Sequence, residues 1–165
     1  MTISPHFYAL QGQKKETMAD SFAQVLVHLT FHAKSGGVTM ERDDLPRIFQ
    51  YIGGIVRSLK GIPMAVGGMP DHVHILSSLP RTISIADFTM NVKKSSSKWI
   101  KGLGEKYSNF AWQDGYGIFS VSYSIRNQVV GYILHQEEHH RRQTFKEELK
   151  AFLEANGIDY DERYL

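Results

Sequence analysis

The sequence predicts a single α+β domain built on an antiparallel sheet, and three observations lead to this prediction. Short segments of alternating hydrophobicity, typical of strands, are interleaved with longer segments whose apolar residues follow helical spacing. The chain has 165 residues, 42% of them hydrophobic and 22% charged, so one domain with a buried core is expected. It contains no cysteine, so disulfides and thiolate metal sites are excluded.

The predicted elements follow the order strand, helix, strand, strand, helix, strand, and then two further helices. The strands are expected over residues 22–31, 62–67, 72–79 and 118–123, and the helices over residues 43–59, 82–103, 126–142 and 144–157. The first six elements match the ferredoxin-like (RRM-like) arrangement, an antiparallel sheet with helices on one face. The last two are C-terminal helices added to that unit. Thr144 and Glu147 have the spacing of a capping box at the start of the last helix.

The chain is expected to be cytoplasmic, without a membrane partner. No apolar stretch approaches the ~18 residues that span a bilayer, and no signal-peptide pattern opens the chain. The lack of cysteine is compatible with a reducing compartment. Residues 1–17 are polar and without periodicity, so we expect a flexible N-terminal extension there and a single domain over residues 18–165.

Two histidines lie two residues apart on the third predicted strand. The side chains of His72 and His74 therefore point to the same face, with Cα atoms about 6.5–7 Å apart, so that two imidazoles can share one cation. Val73 and Ile75 would point into the helices. The motif is short, and two histidines on a solvated sheet face are an equal alternative. A histidine-triad nucleotide hydrolase would need a third histidine where this chain has Leu76.

Tyr132 and Gln136 lie four residues apart on a predicted helix, one above the other on the same face. A tyrosine on an amphipathic helix is usually a core residue, and a glutamine can be an ordinary polar contact. Neither residue indicates chemistry alone. Only in combination with the histidine pair do they point to a metal-assisted site with a tyrosine nucleophile.

The middle of the chain is basic and its end is acidic. Residues 72–136 contain seven basic and three acidic residues, and the segment after Gln136 contains eight acidic and five basic ones. This distribution fits a polyanion-binding face, although a solvated helix face is an equally simple explanation. The candidate nucleic-acid contacts are Lys93, Lys94, Lys98, Lys101 and Arg126, with Trp112 or Trp99 as a platform for an unpaired base. Core packing is the alternative for both tryptophans, and it is favoured for Trp99.

Four segments together resemble the single-tyrosine HUH transposases, the family of small insertion-sequence and REP-associated tyrosine transposases. The segments are MPDHVHIL, FAWQDGYGIFSVSYS, GYILHQEEHHRRQTFKEEL and GIDYDERYL, and the resemblance covers nearly all of residues 22–165. It implies a DNA transposase that nicks and rejoins single-stranded DNA at hairpin-flanked ends of a mobile element. The implied reaction is metal-dependent and passes through a 5′-phosphotyrosine.

The resemblance also implies roles for individual residues. His72, His74 and Gln136 would bind a divalent metal, Mg²⁺ or Mn²⁺, and Tyr132 would attack the DNA. The implied partners are single-stranded DNA with hairpins and a second copy of the chain. In many family members the tyrosine helix of one subunit of the homodimer completes the active site of the other.

The residue types suit this chemistry. A divalent cation neutralises the charge of a phosphodiester and fixes its geometry. A tyrosine has an ordinary pKa near 10 and must lose its proton on attack. Asp71 and Glu137 are adjacent to implied metal ligands, and we expect them to orient those ligands, because metal-bound histidines usually donate their second N–H.

Two other functions stay open from the residues. One is a non-catalytic nucleic-acid-binding protein on the same ferredoxin-like scaffold, although aromatic residues of the kind that such modules place on their strands are not evident. The other is a metal-dependent phosphohydrolase that uses water, in which Tyr132 is structural. The recognised hairpin, the metal and the subunit on which Tyr132 acts are also left open.

Overall fold

A computed structural model describes residues 22–139 and 144–164 of the chain. The predicted extension over residues 1–17 lies outside these residues, as do residues 140–142 of the predicted third helix. Within the part of the chain that is described, no helix combines the length and the apolar character needed to cross a membrane.

The elements follow the predicted order. The strands are β1 (Leu26–His32), β2 (Pro63–Met69), β3 (His72–Ser78) and β4 (Gly117–Val121). The helices are α1 (Leu45–Ser58), α2 (Ile85–Lys101), α3 (Arg126–Leu134), α4 (Gln136–His139) and α5 (Phe145–Ala155). Short 3₁₀ turns lie at Arg42–Asp44, Glu105–Tyr107, Tyr123–Ile125 and Glu162–Tyr164.

The four strands form one antiparallel sheet in the order β2-β3-β1-β4. The central pair, β1 and β3, is in register over seven residues, with Thr30 opposite His74 and His32 opposite His72. This is the ferredoxin-like arrangement that the element order predicts, so the predicted fold class is confirmed. The histidine pair lies on a central strand, where hydrogen bonds from both sides hold the backbone.

One face of the sheet packs on α1 and α2 and forms the main core. Val73 and Ile75 of β3 lie there with Leu29 and Phe31 of β1, all at most 1% exposed. The two helices contribute the buried side chains of Ile48, Ile52, Phe88 and Val92. The prediction that Val73 and Ile75 point into the helices is confirmed.

The opposite face of the sheet is covered by the added C-terminal helices. Ile133 of α3 packs on Ala65 and Leu76 in a second, smaller cluster. The helix comes so close to β2 that a Cβ at Gly67 would lie 2.4 Å from the carbonyl oxygen of Ile133. Only glycine permits this approach, which sets the height of α3 above the sheet.

Local sequence signals explain where several helices begin and end. The Ser84 side chain accepts a hydrogen bond from the Asp87 N–H at the start of α2. Thr144 and Glu147 form the predicted capping box of α5. The prediction of one continuous helix over residues 126–142 is wrong, because His135 (φ −107°, ψ 28°) separates α3 from α4.

Candidate metal centre and tyrosine

The two histidines of β3 are completely buried. His72 and His74 are both 0% exposed, and their ring centroids lie 5.1 Å apart with the planes at 84°. They share the face of the sheet that α3 and α5 cover, as the two-residue spacing predicts. The alternative of two histidines on a solvated sheet face is therefore wrong.

Gln136 joins this pair from the start of α4. Its side chain is 2% exposed, and its Oε1 lies 3.3 Å from Nε2 of His72. Its amide nitrogen donates to Oε1 of Glu148 at 3.2 Å and to the carbonyl of Tyr132 at 3.4 Å. These two hydrogen bonds turn the amide oxygen, rather than the nitrogen, toward His72.

Glu148 is the cluster residue that the sequence analysis missed. It projects from α5 and is 5% exposed, with Oε2 at 3.1 Å from Nε2 of His74. Burial raises the pKa of this carboxyl to about 7, while His72 lowers it and Asp71 raises it. One signal in the sequence points to it: an acid within the apolar stripe of a helix, spaced three and four residues from two phenylalanines.

The donor atoms of the cluster converge in a way that suits a cation. Nδ1 of His72 donates to Oδ1 of Asp71 at 2.7 Å, and Nε2 of the same ring points into the cluster. This Nε2 atom faces Oε1 of Gln136 at 3.3 Å, and Oε2 of Glu148 lies 4.0 Å away. Ligand atoms of His72, His74 and Glu148 all lie within 4.8 Å of one another. Imidazole, carboxylate and amide groups that converge on one point fit a divalent cation.

Tyr132 lies beside this cluster in the same chain. It sits on α3, half-buried, with its ring centroid 5.8 Å from that of His74 and at 79° to it. Its ring also packs edge-on against His28 at 6.2 Å and Phe152 at 5.7 Å. One chain therefore brings together the four residues that the sequence analysis combined.

His28 is a second residue of the cluster that the sequence analysis did not single out. It lies on β1, is 3% exposed, and its Nε2 is 3.0 Å from Nδ1 of His74. Burial, together with the nearby His74, lowers its pKa to about 3, so its ring is neutral. The signal in the sequence is its position in the strand, out of phase with the apolar residues Leu29 and Phe31.

Two phenylalanines of α5 cover the cluster. The ring of Phe145 lies 4.7 Å from that of His72, and the ring of Phe152 lies 5.1 Å from that of His28. With Glu148 between them on the same helix face, they form a lid of one helix over the histidines. This lid explains why imidazoles on an outer face of the sheet are fully buried.

The two residues predicted to orient ligands behave differently. Asp71 accepts the hydrogen bond from His72, as predicted. Glu137 instead pairs with Arg42 at 2.8 Å on the surface, where both side chains are more than 60% exposed. The prediction for Glu137 is wrong, because the interruption at His135 turns Gln136 inward and the next residue outward.

Lys93 is bound by the protein itself. Its ammonium group donates to the carbonyl oxygens of Gln113, Asp114 and Gly115 at 2.5, 2.8 and 3.0 Å. Burial lowers its pKa, and Asp114 partly offsets this. The other lysines predicted for phosphate contacts are exposed along α2, namely Lys94, Lys98 and Lys101.

Trp112 lies in the core and not at a surface where a base can stack. It is 7% exposed, and its indole N–H donates to Oγ of Ser96 at 2.9 Å. Its ring packs edge-on against Phe31 and Phe110, each at 4.8 Å. At 7% exposure the indole offers little surface on which a base could stack, contrary to the role predicted for it.

Trp99 and Arg126, two further residues predicted to contact nucleic acid, are half-buried. Trp99 is half-buried and stacks on Tyr51 at 4.3 Å, with the planes at 10°. The guanidinium of Arg126 lies 3.7 Å from the centre of the Tyr123 ring and donates to the carbonyl of that residue. Core packing was the favoured interpretation for Trp99, but Trp112 is the tryptophan that lies in the core, and Trp99 packs against it only in part.

Comparisons with known proteins give the class to which this chain belongs, the transposases. The family model described as "Transposase IS200 like" matches residues 21–136, more than two thirds of the chain. The chain therefore belongs to the IS200-like transposase family. No match was found among curated proteins.

Two solved structures share the fold. One is the crystal structure of a proposed transposase from Deinococcus radiodurans R1, with 21% identity and a TM-score of 0.57 over 75% of this chain and 98% of that one. The other is a REP-associated tyrosine transposase bound to a REP hairpin, with 15% identity and a TM-score of 0.50 over 77% of this chain and 74% of that one. The predicted family and fold class are confirmed.

Proposed function

We propose that this transposase nicks and rejoins single-stranded DNA through a covalent bond to Tyr132. One observation carries the proposal: the Tyr132 ring lies 5.8 Å from His74 in the same chain, beside a buried cluster whose acceptor atoms suit a divalent cation. Mg²⁺ or Mn²⁺ would be held by His72, His74 and Gln136, with Glu148 as an additional ligand.

The reaction is an exchange of one phosphodiester for another. The hydroxyl oxygen of Tyr132 attacks phosphorus, a bond from that oxygen to phosphorus forms, and the bond to the 3′ oxygen breaks. The proton of the tyrosine ends on the 3′ oxygen, leaving a free 3′-OH and a 5′-phosphotyrosine. Because a phosphodiester-level bond is retained, attack by another 3′-OH rejoins the strand without a nucleotide cofactor.

The residues around the tyrosine have separate tasks. A bound cation would neutralise charge on the scissile phosphate. Asp71 holds the ring of His72 through its Nδ1–H, and Glu148 holds the amide of Gln136. These hydrogen bonds fix the ligand atoms before DNA binds, so little reorganisation is needed on metal binding.

DNA can reach the cluster only if α5 moves. His72 and His74 are 0% exposed beneath Phe145 and Phe152. A phosphate that approaches a cation at these histidines therefore requires the two phenylalanine rings of α5 to shift. We therefore expect amide protons of α5 to exchange faster when a cleavable single strand is bound, which hydrogen-exchange mass spectrometry measures.

The proposed partner is single-stranded DNA with hairpins, and a homodimer remains a prediction. A similar fold is recorded with a REP hairpin, which supports the choice of a hairpin as substrate. The exposed lysines of α2 supply the positive charge for phosphate contacts. Their side chains lie on the helix layer, on the other side of the sheet from the histidines, so a bound strand would have to reach both faces.

Covalent trapping tests the proposal. Hairpin oligonucleotides from the flanks of the gene, incubated with wild-type protein and Mn²⁺, should give an adduct that survives a denaturing gel. Tyr132→Phe should bind the hairpin without forming an adduct, and His72→Ala should lose cleavage. Tyr123→Phe is the matched control, because Tyr123 is 47% exposed and lies outside the cluster.

The same gel separates the alternatives. An adduct with Tyr132→Phe would refute the assignment of the nucleophile. Cut strands without any adduct in wild type would favour a phosphohydrolase that uses water. Binding without cutting under any metal would favour a non-catalytic nucleic-acid-binding protein.

A further inference from the structure

We propose that His28 is a positioning residue that holds His74 in the tautomer able to bind the cation. The inference rests on the proposed cation site of His72 and His74 and extends it to β1. Nε2 of His28 lies 3.0 Å from Nδ1 of His74, and the two rings are 5.1 Å apart and tilted by 37°. Both side chains are at most 3% exposed.

The sheet register produces this contact. His28 pairs directly with Leu76, and Thr30 pairs with His74, so the two histidines are diagonal neighbours on the same face of β1 and β3. Diagonal neighbours on adjacent strands are within reach of aromatic side chains. The contact thus belongs to the two central strands, where the backbone is fixed on both sides.

The two histidines that face the cation have different partners on their other nitrogen. His72 donates its Nδ1–H to the carboxylate of Asp71, which accepts only. His74 has a histidine there, which can either donate or accept. The tautomer of His72 is therefore set by Asp71, whereas that of His74 depends on the tautomer of His28.

With both rings neutral, two combinations of tautomers satisfy the hydrogen bonds of His74 to His28 and Glu148. In one, Nε2–H of His74 donates to Glu148 and Nε2–H of His28 donates to Nδ1 of His74. In the other, Nε2 of His74 carries a lone pair, and its Nδ1–H donates to Nε2 of His28. Only the second leaves a lone pair for a cation, so a bound cation requires His28 to carry its proton on Nδ1.

Imidazole nitrogen spectra of the wild-type protein test this requirement directly. Zn²⁺ is the probe, because it is diamagnetic and binds imidazole. In two-bond ¹H–¹⁵N spectra of the Zn²⁺-loaded protein, Nδ1 of both His28 and His74 should carry the proton. A proton on Nε2 of His28 in that spectrum would overturn the role of His28. If the wild type binds no Zn²⁺, the proposed cation site is refuted, and the role of His28 is refuted with it.

Three variants separate positioning from packing. His28→Leu removes the acceptor and should weaken Zn²⁺ binding ~10–100-fold. His28→Gln offers a carbonyl oxygen to the Nδ1–H of His74 and should recover most of this loss. Phe119→Leu changes a buried neighbour that pairs with His28 on β4 and should leave the Zn²⁺ affinity unchanged. Wild-type affinity in His28→Leu, or a folded His28→Gln that binds no better than His28→Leu, would overturn the proposal.

Discussion

The close approach of α3 to β2 makes the position of Tyr132 sensitive to one methyl group. A Cβ at Gly67 would lie 2.4 Å from the carbonyl oxygen of Ile133, and ordinary contacts begin near 3.4 Å, so the Gly67→Ala variant requires a separation of about 1 Å. Ile133 follows Tyr132 directly on α3, so that shift passes to the tyrosine. Overpacking of this kind costs ~1–3 kcal/mol, and a displacement of ~1 Å at a reacting group costs ~100-fold in rate.

The measurements are urea unfolding and the rate of adduct formation on a hairpin oligonucleotide. Gly131→Ala is the matched control, because it adds the same methyl group to α3 next to Tyr132, where, among the described residues, no atom beyond the local helix backbone and the chain neighbours lies within 4 Å. We expect the control to keep the wild-type rate and to gain up to ~1 kcal/mol of helix stability. A Gly67→Ala protein with wild-type stability and wild-type rate would refute the reasoning.

Three further predictions concern the cluster itself. Folding lowers the pKa of His28 from 6.5 to about 3, so its neutral ring contributes stability that is complete above pH 6.5 and is lost as the pH falls toward 3, by at most ~5 kcal/mol. Between pH 7 and pH 4 the free energy of unfolding in urea should therefore fall less for His28→Leu than for wild type. Equal decreases would contradict this. Because the pKa of Glu148 is raised to about 7, a cation must displace its proton below that pH. Mn²⁺ affinity should therefore fall by ~50-fold from pH 7 to pH 5, and calorimetry should give a flatter profile for Glu148→Gln. Mixing Tyr132→Phe with His72→Ala should not restore adducts, since Tyr132 lies against its own chain's His74, and restored adducts would show that two subunits share the site.

The fold was predictable because its elements are set by local patterns. Period-two and helical spacing identified the strands and helices, and the capping box at Thr144 correctly predicted where α5 begins. The interruption at His135 was not predictable, because no glycine or proline marks it. The interruption lets Gln136 contact His72 of β3 and Glu148, and a local sequence pattern does not contain such long-range contacts.

The candidate site was only partly predictable for the same reason. Spacing within single elements predicts that His72 and His74 share a face and that Tyr132 lies above Gln136, whereas the contact between the two pairs was expected only from the family resemblance. Glu148 joins the cluster from another helix, and such long-range contacts leave only weak traces in one sequence.

The internal hydrogen bonds of Lys93 change how the basic helix α2 should respond to ionic strength. Each phosphate neutralised on a single strand releases counterions and contributes a slope of about −0.7 to the dependence of log affinity on log salt. The sequence offers four lysines on this helix, but Lys93 is held by carbonyl oxygens of residues 113–115 and is not expected to neutralise a phosphate. With three lysines left, α2 can account for a slope of at most about −2. The salt dependence of DNA binding would then report how many charges of the helix point outward, independently of how tightly the DNA is held.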